Sequence, residues 1–170
     1  GELILNNVFK RNAMDYVLKS AQKEHFNTVL TWIQNADQLK LWGGAALSYP
    51  PCVETTWAEI GAQAGNSFVL SSSDGGVVGF AQALVRTPNI HLARIIVSPA
   101  GRGKGVGKIL CEQLIQRVCL EHQPEQITLN VFSHNTVAIN LYKSLGFAIT
   151  SKQEDEGLIG MVFVPSKGRL

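Results

Sequence analysis

Apolar residues along this chain recur at two spacings, and the switching between them lays out the elements. Tyr16-Val17-Leu18-Lys19 reads as a first strand. Phe26, Val29, Leu30 and Ile33 then recur at helical spacing between His25 and Gln34, with Trp32 on a flank, which predicts one amphipathic helix. Asn35-Ala36-Asp37 supplies an N-cap for a short second helix that Gly43-Gly44 ends. Pro50-Pro51 makes 45–52 a loop, and a third short helix is expected over 55–64. Strands over 66–71 and 76–87 flank the polar turn Ser71-Ser72-Ser73-Asp74-Gly75, and Pro88-Asn89 turns the chain into a strand over 90–97.

Beyond residue 105 the helical period returns. Val106, Ile109, Leu110, Leu114 and Val118 form one apolar face out to about Glu121, and Gln123-Pro124 stops it. Ile127, Leu129 and Val131 alternate within a strand over 126–132. A helix over 135–145 would turn Val137, Ala138, Leu141 and Leu145 inward and stop with Gly146 at C′. Strands over 147–150 and 158–164 close the chain around the acidic turn Glu154-Asp155-Glu156-Gly157. Apart from the short third helix, the order is β-α-α-β-β-β-α-β-α-β-β, an α/β chain with a mixed sheet.

Composition narrows the function classes. The chain has 170 residues, of which 45% are apolar and 16% charged, the profile of a globular protein with a substantial core. Residues 14–170 read as a single domain. Residues 1–13 precede the first methionine, Met14, and read as an N-terminal extension added ahead of the native start. A net charge of +2 gives no case for a nucleic-acid or anionic-membrane surface. There is no apolar run long enough to span a membrane. Three cysteines without a C-x-x-C pair argue against a disulfide framework or a zinc site. Cys111 and Cys119 are about 12 Å apart along one expected helix, too far to bridge. Reduced thiols and a cytoplasmic location are the expectation. The histidines at 25, 91, 122 and 134 lack metal-ligand spacing, so no metal is expected.

The chemistry concentrates at 94–110. The run Arg94-Ile95-Ile96-Val97 ends before Pro99, which cannot donate to a ladder. Glycines at 101, 103, 105 and 107 follow, interleaved with Arg102 and Lys104, and a helix begins at once. Unpaired N–H groups and a positive dipole at a helix start bind anions, and glycines let a phosphate reach the backbone. The P-loop spacing G-x-x-x-x-G-K-[ST] is absent, and G-x-G-x-x-G fails because Val106 or Lys108 takes its last place. What fits is R-x-x-G-x-G, as Arg102-Gly103-Lys104-Gly105-Val106-Gly107. That hexamer, just after a Val-x-Pro strand end, resembles the acetyl-CoA pyrophosphate loop of the GCN5-related N-acetyltransferase (GNAT) superfamily. About 30 residues on, Asn135-x-x-Ala138-x-x-Leu141-Tyr142-x-x-x-Gly146-Phe147 is similar to the second acetyl-CoA motif of the same superfamily. The resemblance covers roughly residues 14–164.

The resemblance implies a GNAT-type mixed, centrally splayed β-sheet flanked by helices, and an acetyl-CoA-dependent transfer of acetyl to a primary amine by direct attack. The acceptor would be a small-molecule or peptide amine, and a homodimer is among the expected assemblies. The pantetheine amides would pair with main-chain groups of Ile95, Ile96 and Val97. The pyrophosphate would sit on Arg102, Gly103, Lys104, Gly105, Val106 and Gly107, with Lys108 beside them, and a main-chain N–H near Ile95 or Ile96 would polarise the thioester carbonyl. Asn135 would bind the CoA arm, and Tyr142 would protonate the departing thiolate. Each residue also has a plainer reading: Tyr142 as a core aromatic, Asn135 as a helix N-cap, Arg102 and Lys104 as solvated charges. Cys111 and Cys119 read as packing residues, whereas Cys52, in the Pro50-Pro51 loop, lies nearer the acceptor side.

A general base is not legible. The strand position where some family members carry glutamate holds Leu92; His91 adjoins it on the other face unless a bulge intervenes, and Glu54 and Glu59 are further candidates. Trp32, Trp42, Trp57 and Tyr49 fall in the segment that covers the acceptor pocket in the superfamily, and read more readily as core than as a drug site. A non-catalytic acyl-CoA-binding module is the alternative function. It does not require a phenol at the sulfur.

Overall fold

The computed structural model describes residues 15–153 and 157–166. The extension expected at 1–13 lies outside the described residues, as do 154–156 of the acidic turn. The elements are β1 (Tyr16–Ser20), α1 (Phe26–Val29), α2 (Ala36–Gly43), α3 (Val53–Glu59), β2 (Ser67–Ser72), β3 (Val77–Arg86), β4 (Asn89–Val97), α4 (Val106–His122), β5 (Ile127–Phe132), α5 (Thr136–Ser144), β6 (Ala148–Gln153) and β7 (Leu158–Phe163). The strands form one mixed sheet in the order β1-β2-β3-β4-β5-β7-β6. β1–β2, β5–β7 and β6–β7 are antiparallel, whereas β4–β5 is parallel. That parallel ladder covers only Ile90–Leu92 against Ile127–Leu129, although β4 runs on to Val97. Each expected strand begins within one residue of its place.

The chain divides into two compact units. One comprises the described residues up to Ala81 together with Arg94–Leu110; the other comprises Gln82–Ala93 and the chain from Cys111 on. Neither is contiguous, because the boundaries fall inside β3, β4 and α4.

The first unit is built on Phe26, which is fully buried and meets Trp57, Phe80 and Trp42 edge-on at centroid distances of 5.2, 5.1 and 6.2 Å. The segment read as one helix over 25–34 is instead a 3₁₀ turn at Lys23–His25, the single turn α1, and a second 3₁₀ turn at Leu30–Trp32. Its buried residues are Phe26, Val29, Trp32 and Ile33, and the first three recur every three positions, the 3₁₀ period. Thr28, Val29 and Thr31 are β-branched, and the Thr31 hydroxyl donates to Thr28 O at 2.5 Å, so the α form is weakly favoured here. Trp32, expected on a flank, is therefore core. α2 forms as expected: the Asn35 side chain accepts from Gln38 N at 2.9 Å, and Gly44 takes φ +103 past the end. α3 is shorter than the 55–64 expected. Gly61 adopts φ +62, and Ala62 N donates to Trp57 O while Gly61 N donates to Ala58 O, a Schellman stop.

In the second unit Leu114, Ile115 and Val118 of α4 are buried, as are Ile127, Leu129, Tyr142, Phe147 and Phe163. On α5 the inward face is Ile139, Tyr142 and, just beyond, Leu145. Val137 was expected inward and is 82% exposed. At 100° per residue it shares a face with Leu141 and Ser144, away from the 139–142 stripe.

Candidate active site

The first unit contains the glycine-rich turn. Ser98 N donates to Val78 O at 2.8 Å, so β4 stays paired to its end before Pro99–Gly101 make a 3₁₀ turn. Gly101 is buried, and a Cβ there would meet Ser98, Val97 and Val106 atoms at 3.1–3.3 Å. Gly103 and Gly105 are glycines for another reason: they take φ +75 and +80 with open space around them. α4 starts immediately and runs 17 residues. Its first main-chain bond is Ile109 N to Gly105 O at 3.1 Å, which leaves the N–H groups of Val106, Gly107 and Lys108 as the unpaired first turn. Arg102, Lys104 and Lys108 are exposed and form no ion pair among the described residues. An anion on this turn would meet oriented N–H donors, the helix dipole and three cations.

Upstream of that turn, Ile95, Ile96 and Val97 are half-buried, and Arg94 has a left-handed φ of +52. The Trp42 indole Nε1 donates to Arg94 O at 2.8 Å, and Arg94 Nε donates to Gly43 O at 3.1 Å. Periodicity did not reveal either contact; it gave Trp42 a place in a helix and Arg94 a place in a strand. Burial lowers the Arg94 pKa. Of the base candidates here, Glu54 takes a 2.8 Å bond from Lys23, and Glu59 accepts from Ser48 N and Oγ at 3.1 and 2.9 Å. Both carboxylates already hold local structure.

The second unit contains the other motif. The Asn135 side chain accepts from Ala138 N at 3.1 Å, so it caps α5. At the far end Phe147 N donates to Tyr142 O and Gly146 N to Lys143 O, both at 3.0 Å, with Gly146 at φ +105. This is a Schellman motif, and its usual hydrophobic contact is Tyr142 edge-on to Phe147 at 5.9 Å. The Tyr142 ring thus has a structural task. Its hydroxyl makes no hydrogen bond to another described residue, and burial, with a smaller contribution from Cys111, drives its pKa well above the tyrosine range. Burial also pushes the Cys111 thiol up to about 12, which makes it inert packing.

His91 pairs across the parallel ladder with Thr128, Nδ1 to Oγ1 at 2.8 Å. Burial first, and the charge of Arg86 second, lower its pKa to about 4. A ring held neutral so far below its ordinary value is a poor proton acceptor at neutral pH. Leu92 beside it is 2% exposed. His134 stacks on Phe132 at 5.7 Å. Among the described residues, no group of His, Cys, Asp and Glu side chains could hold a metal ion.

The sign of the His91 shift gives an expected result. Its folded pKa lies below the unfolded value near 6.5, so the folded form keeps its full stability above that value. It loses up to about 3 kcal/mol as pH falls through 4. Denaturant midpoints measured from pH 7 to 4 should fall less steeply in His91→Gln. An unchanged slope would show that His91 is not the group responsible.

Comparison with known proteins adds an independent view. A family model described as acetyltransferase (GNAT) family matches residues 38–147. N-alpha-acetyltransferase 40 of Saccharomyces cerevisiae is 37% identical over 87 residues, 48% of this chain and 30% of that protein. N-acetylaspartate synthetase of Danio rerio is 32% identical over 126 residues, 70% of this chain and 44% of that one. Spermine/spermidine N(1)-acetyltransferase of Bacillus subtilis is 28% identical over 92 residues, 49% and 60% of the two chains. The chain thus spans 30–60% of the length of these curated relatives. Among solved structures, spermidine N-acetyltransferase from Vibrio cholerae in complex with CoA and spermine aligns at TM-score 0.76 and 15% identity, covering 91% of this chain and 98% of that one. That similarity is one of fold.

Proposed function

The chain belongs to the acetyltransferase (GNAT) family, and from that membership we propose that it transfers acetyl from acetyl-CoA to a primary amine. The observation that carries this reading is the turn at 101–108. Two left-handed glycines with open flanks run directly into the unpaired first turn of a long helix, beside three cations without ion pairs among the described residues. Family relatives named for peptide amines, lysine and polyamines support an amine acceptor. No helix of the described residues is long and apolar enough to cross a membrane. With three free cysteines, a cytoplasmic location is the natural proposal.

The residues divide the work as follows. Arg102 to Lys108 hold the pyrophosphate, and the main chain of Ile95 to Val97 holds the pantetheine amides and polarises the thioester carbonyl. Asn135, whose Oδ1 is committed to the cap, offers its amide N–H₂ to the CoA arm. The acceptor nitrogen bonds to the acetyl carbon as the carbon–sulfur bond breaks, and Tyr142 gives its proton to the leaving sulfur. The proton from the amine returns through solvent, because Leu92 cannot accept it and His91 is too weak a base. Rate should therefore rise with pH toward the pKa of the amine. Release of free CoA thiol across a panel of polyamines, amino acids and N-terminal peptides tests the reading. CoA binding without thiol release from any amine would favour the acyl-CoA-binding module instead.

Direct attack makes a further expectation about Cys52. This thiol is exposed, and hydrogen bonds from Thr55 lower its pKa, so it is the most nucleophilic of the three cysteines. Cys52→Ala should nevertheless keep most of the activity, and initial velocities should give intersecting double-reciprocal lines. Parallel lines together with an acetyl adduct trapped on Cys52 would replace direct attack with a covalent route.

A further inference from the structure

Resting on the reading above, we propose that Trp42 and Arg94 are positioning residues: a clasp between the end of α2 and β4 that orients the main chain of Ile95–Val97 toward the pantetheine arm of the acyl donor. Arg94 is one of only two non-glycine residues with positive φ among the described residues. An arginine gains nothing intrinsically from that conformation, which crowds Cβ against the carbonyl oxygen. Here it is gripped from both ends. The Trp42 indole donates to its carbonyl at 2.8 Å, and its own Nε donates to Gly43 O at 3.1 Å. Trp42 and Gly43 are the last two residues of α2, where carbonyls lack intrahelical donors and a cation is favoured.

The anchor is rigid. Trp42 meets Phe26 and Phe80 edge-on at 6.2 and 5.9 Å, so its N–H cannot easily swing away. Gly43 is buried, and a Cβ there would collide with Leu47 at 2.1 Å, so the helix end sits close against its neighbours. The consequence shows in β4. Ile90, His91 and Leu92 are all buried, whereas Arg94 to Val97 are uniformly half-buried with no period-2 alternation. A left-handed residue at 94 breaks the pleat and re-aims the main-chain groups that follow it. Those are the groups assigned to the acyl-donor arm.

The clasp should matter for the pantetheine arm and not for the pyrophosphate. CoA and adenosine 3′-phosphate 5′-diphosphate, which keeps the pyrophosphate but lacks that arm, are the probes, with binding measured by calorimetry. Trp42→Phe keeps an aromatic ring and removes the donor; it should weaken CoA on the order of tenfold while the nucleotide stays within about twofold. Arg94→Ala should lose a similar factor, and Arg94→Gly should recover most of it, since glycine adopts positive φ without strain. Recovery by glycine marks a backbone role, because a role for the guanidinium alone makes Ala and Gly equal. If Trp42→Phe fails to fold, the Arg94 pair decides. Parallel losses for both probes, equal Ala and Gly variants, or unweakened CoA binding would each overturn the clasp. Wild-type protein that binds neither probe would overturn the acetyltransferase reading, and the clasp with it.

Discussion

Gly105→Glu is expected to abolish stabilisation by CoA while leaving the protein folded. At a hundredfold excess over Kd, a ligand that binds only the native state adds about 2.7 kcal/mol. For a chain of this size that raises the thermal midpoint by about 5–10 °C. Glutamate at 105 opposes this in two ways. It sets a negative charge where the pyrophosphate would lie, at a helix start whose dipole and neighbouring cations favour the ligand's charge. It also forces a residue with a Cβ to φ +80, at about 1–2 kcal/mol. Fold retention follows from the open space at this position, where a new Cβ meets nothing within 4 Å. Gly105→Ala separates the two effects, since it carries the strain and not the charge; it should be less stable alone yet still respond to CoA. A glutamate variant that shifts with CoA as the wild type does would remove the pyrophosphate from this turn.

Much of this was legible in the chain because the relevant constraints are local. Alternation and glycine stops placed every strand start, and the two segments that resemble acetyl-CoA motifs lie on the elements assigned to them. Asn135 and Gly146 are written into the sequence as cap and stop, and the structure shows both doing that. The misreadings arose where local patterns compete or where tertiary packing decides. The 25–34 segment carries both a 3-residue and a 3.6-residue period, and its buried residues, Phe26, Val29, Trp32 and Ile33, serve both; the β-branched run and the Thr31 hydroxyl bond to Thr28 O tip it toward 3₁₀. Val137 belongs to an apolar set that fits a helix, but it lies on the face that is not covered. The left-handed Arg94 had no local signal, since no glycine or asparagine stands there. Trp42, 52 positions earlier, donates to its carbonyl. Long-range hydrogen bonds to main-chain atoms leave no periodic trace.

Tyr142→Phe should lower kcat by about a hundredfold and leave CoA affinity near wild type. The magnitude comes from the leaving group: a thiolate with a pKa near 8.5 departs tolerably without a proton, so the acid contributes at the low end of about 10²–10⁴. The substitution is clean because the ring alone makes the Schellman contact with Phe147, which phenylalanine preserves. The hydroxyl that is lost has no hydrogen bond to another described residue, so its removal leaves none of those groups unpaired. Burial raises its pKa and so keeps the phenol protonated. Above the unfolded value near 10 the folded state holds the proton longer, so the linked stability is fully present below that pH and is lost only as pH rises further. Between pH 6 and 9 the phenol is protonated in both states, and Tyr142→Phe should not alter how stability depends on pH. Any fall in rate there is then chemical. If Tyr142 acts as the acid and the amine supplies the rising limb, the variant's pH–rate curve should lie lower at every pH and keep its shape. Disappearance of the rising limb would make Tyr142 the base instead. Unchanged turnover, under conditions where chemistry limits the rate, would leave it only the cap of α5.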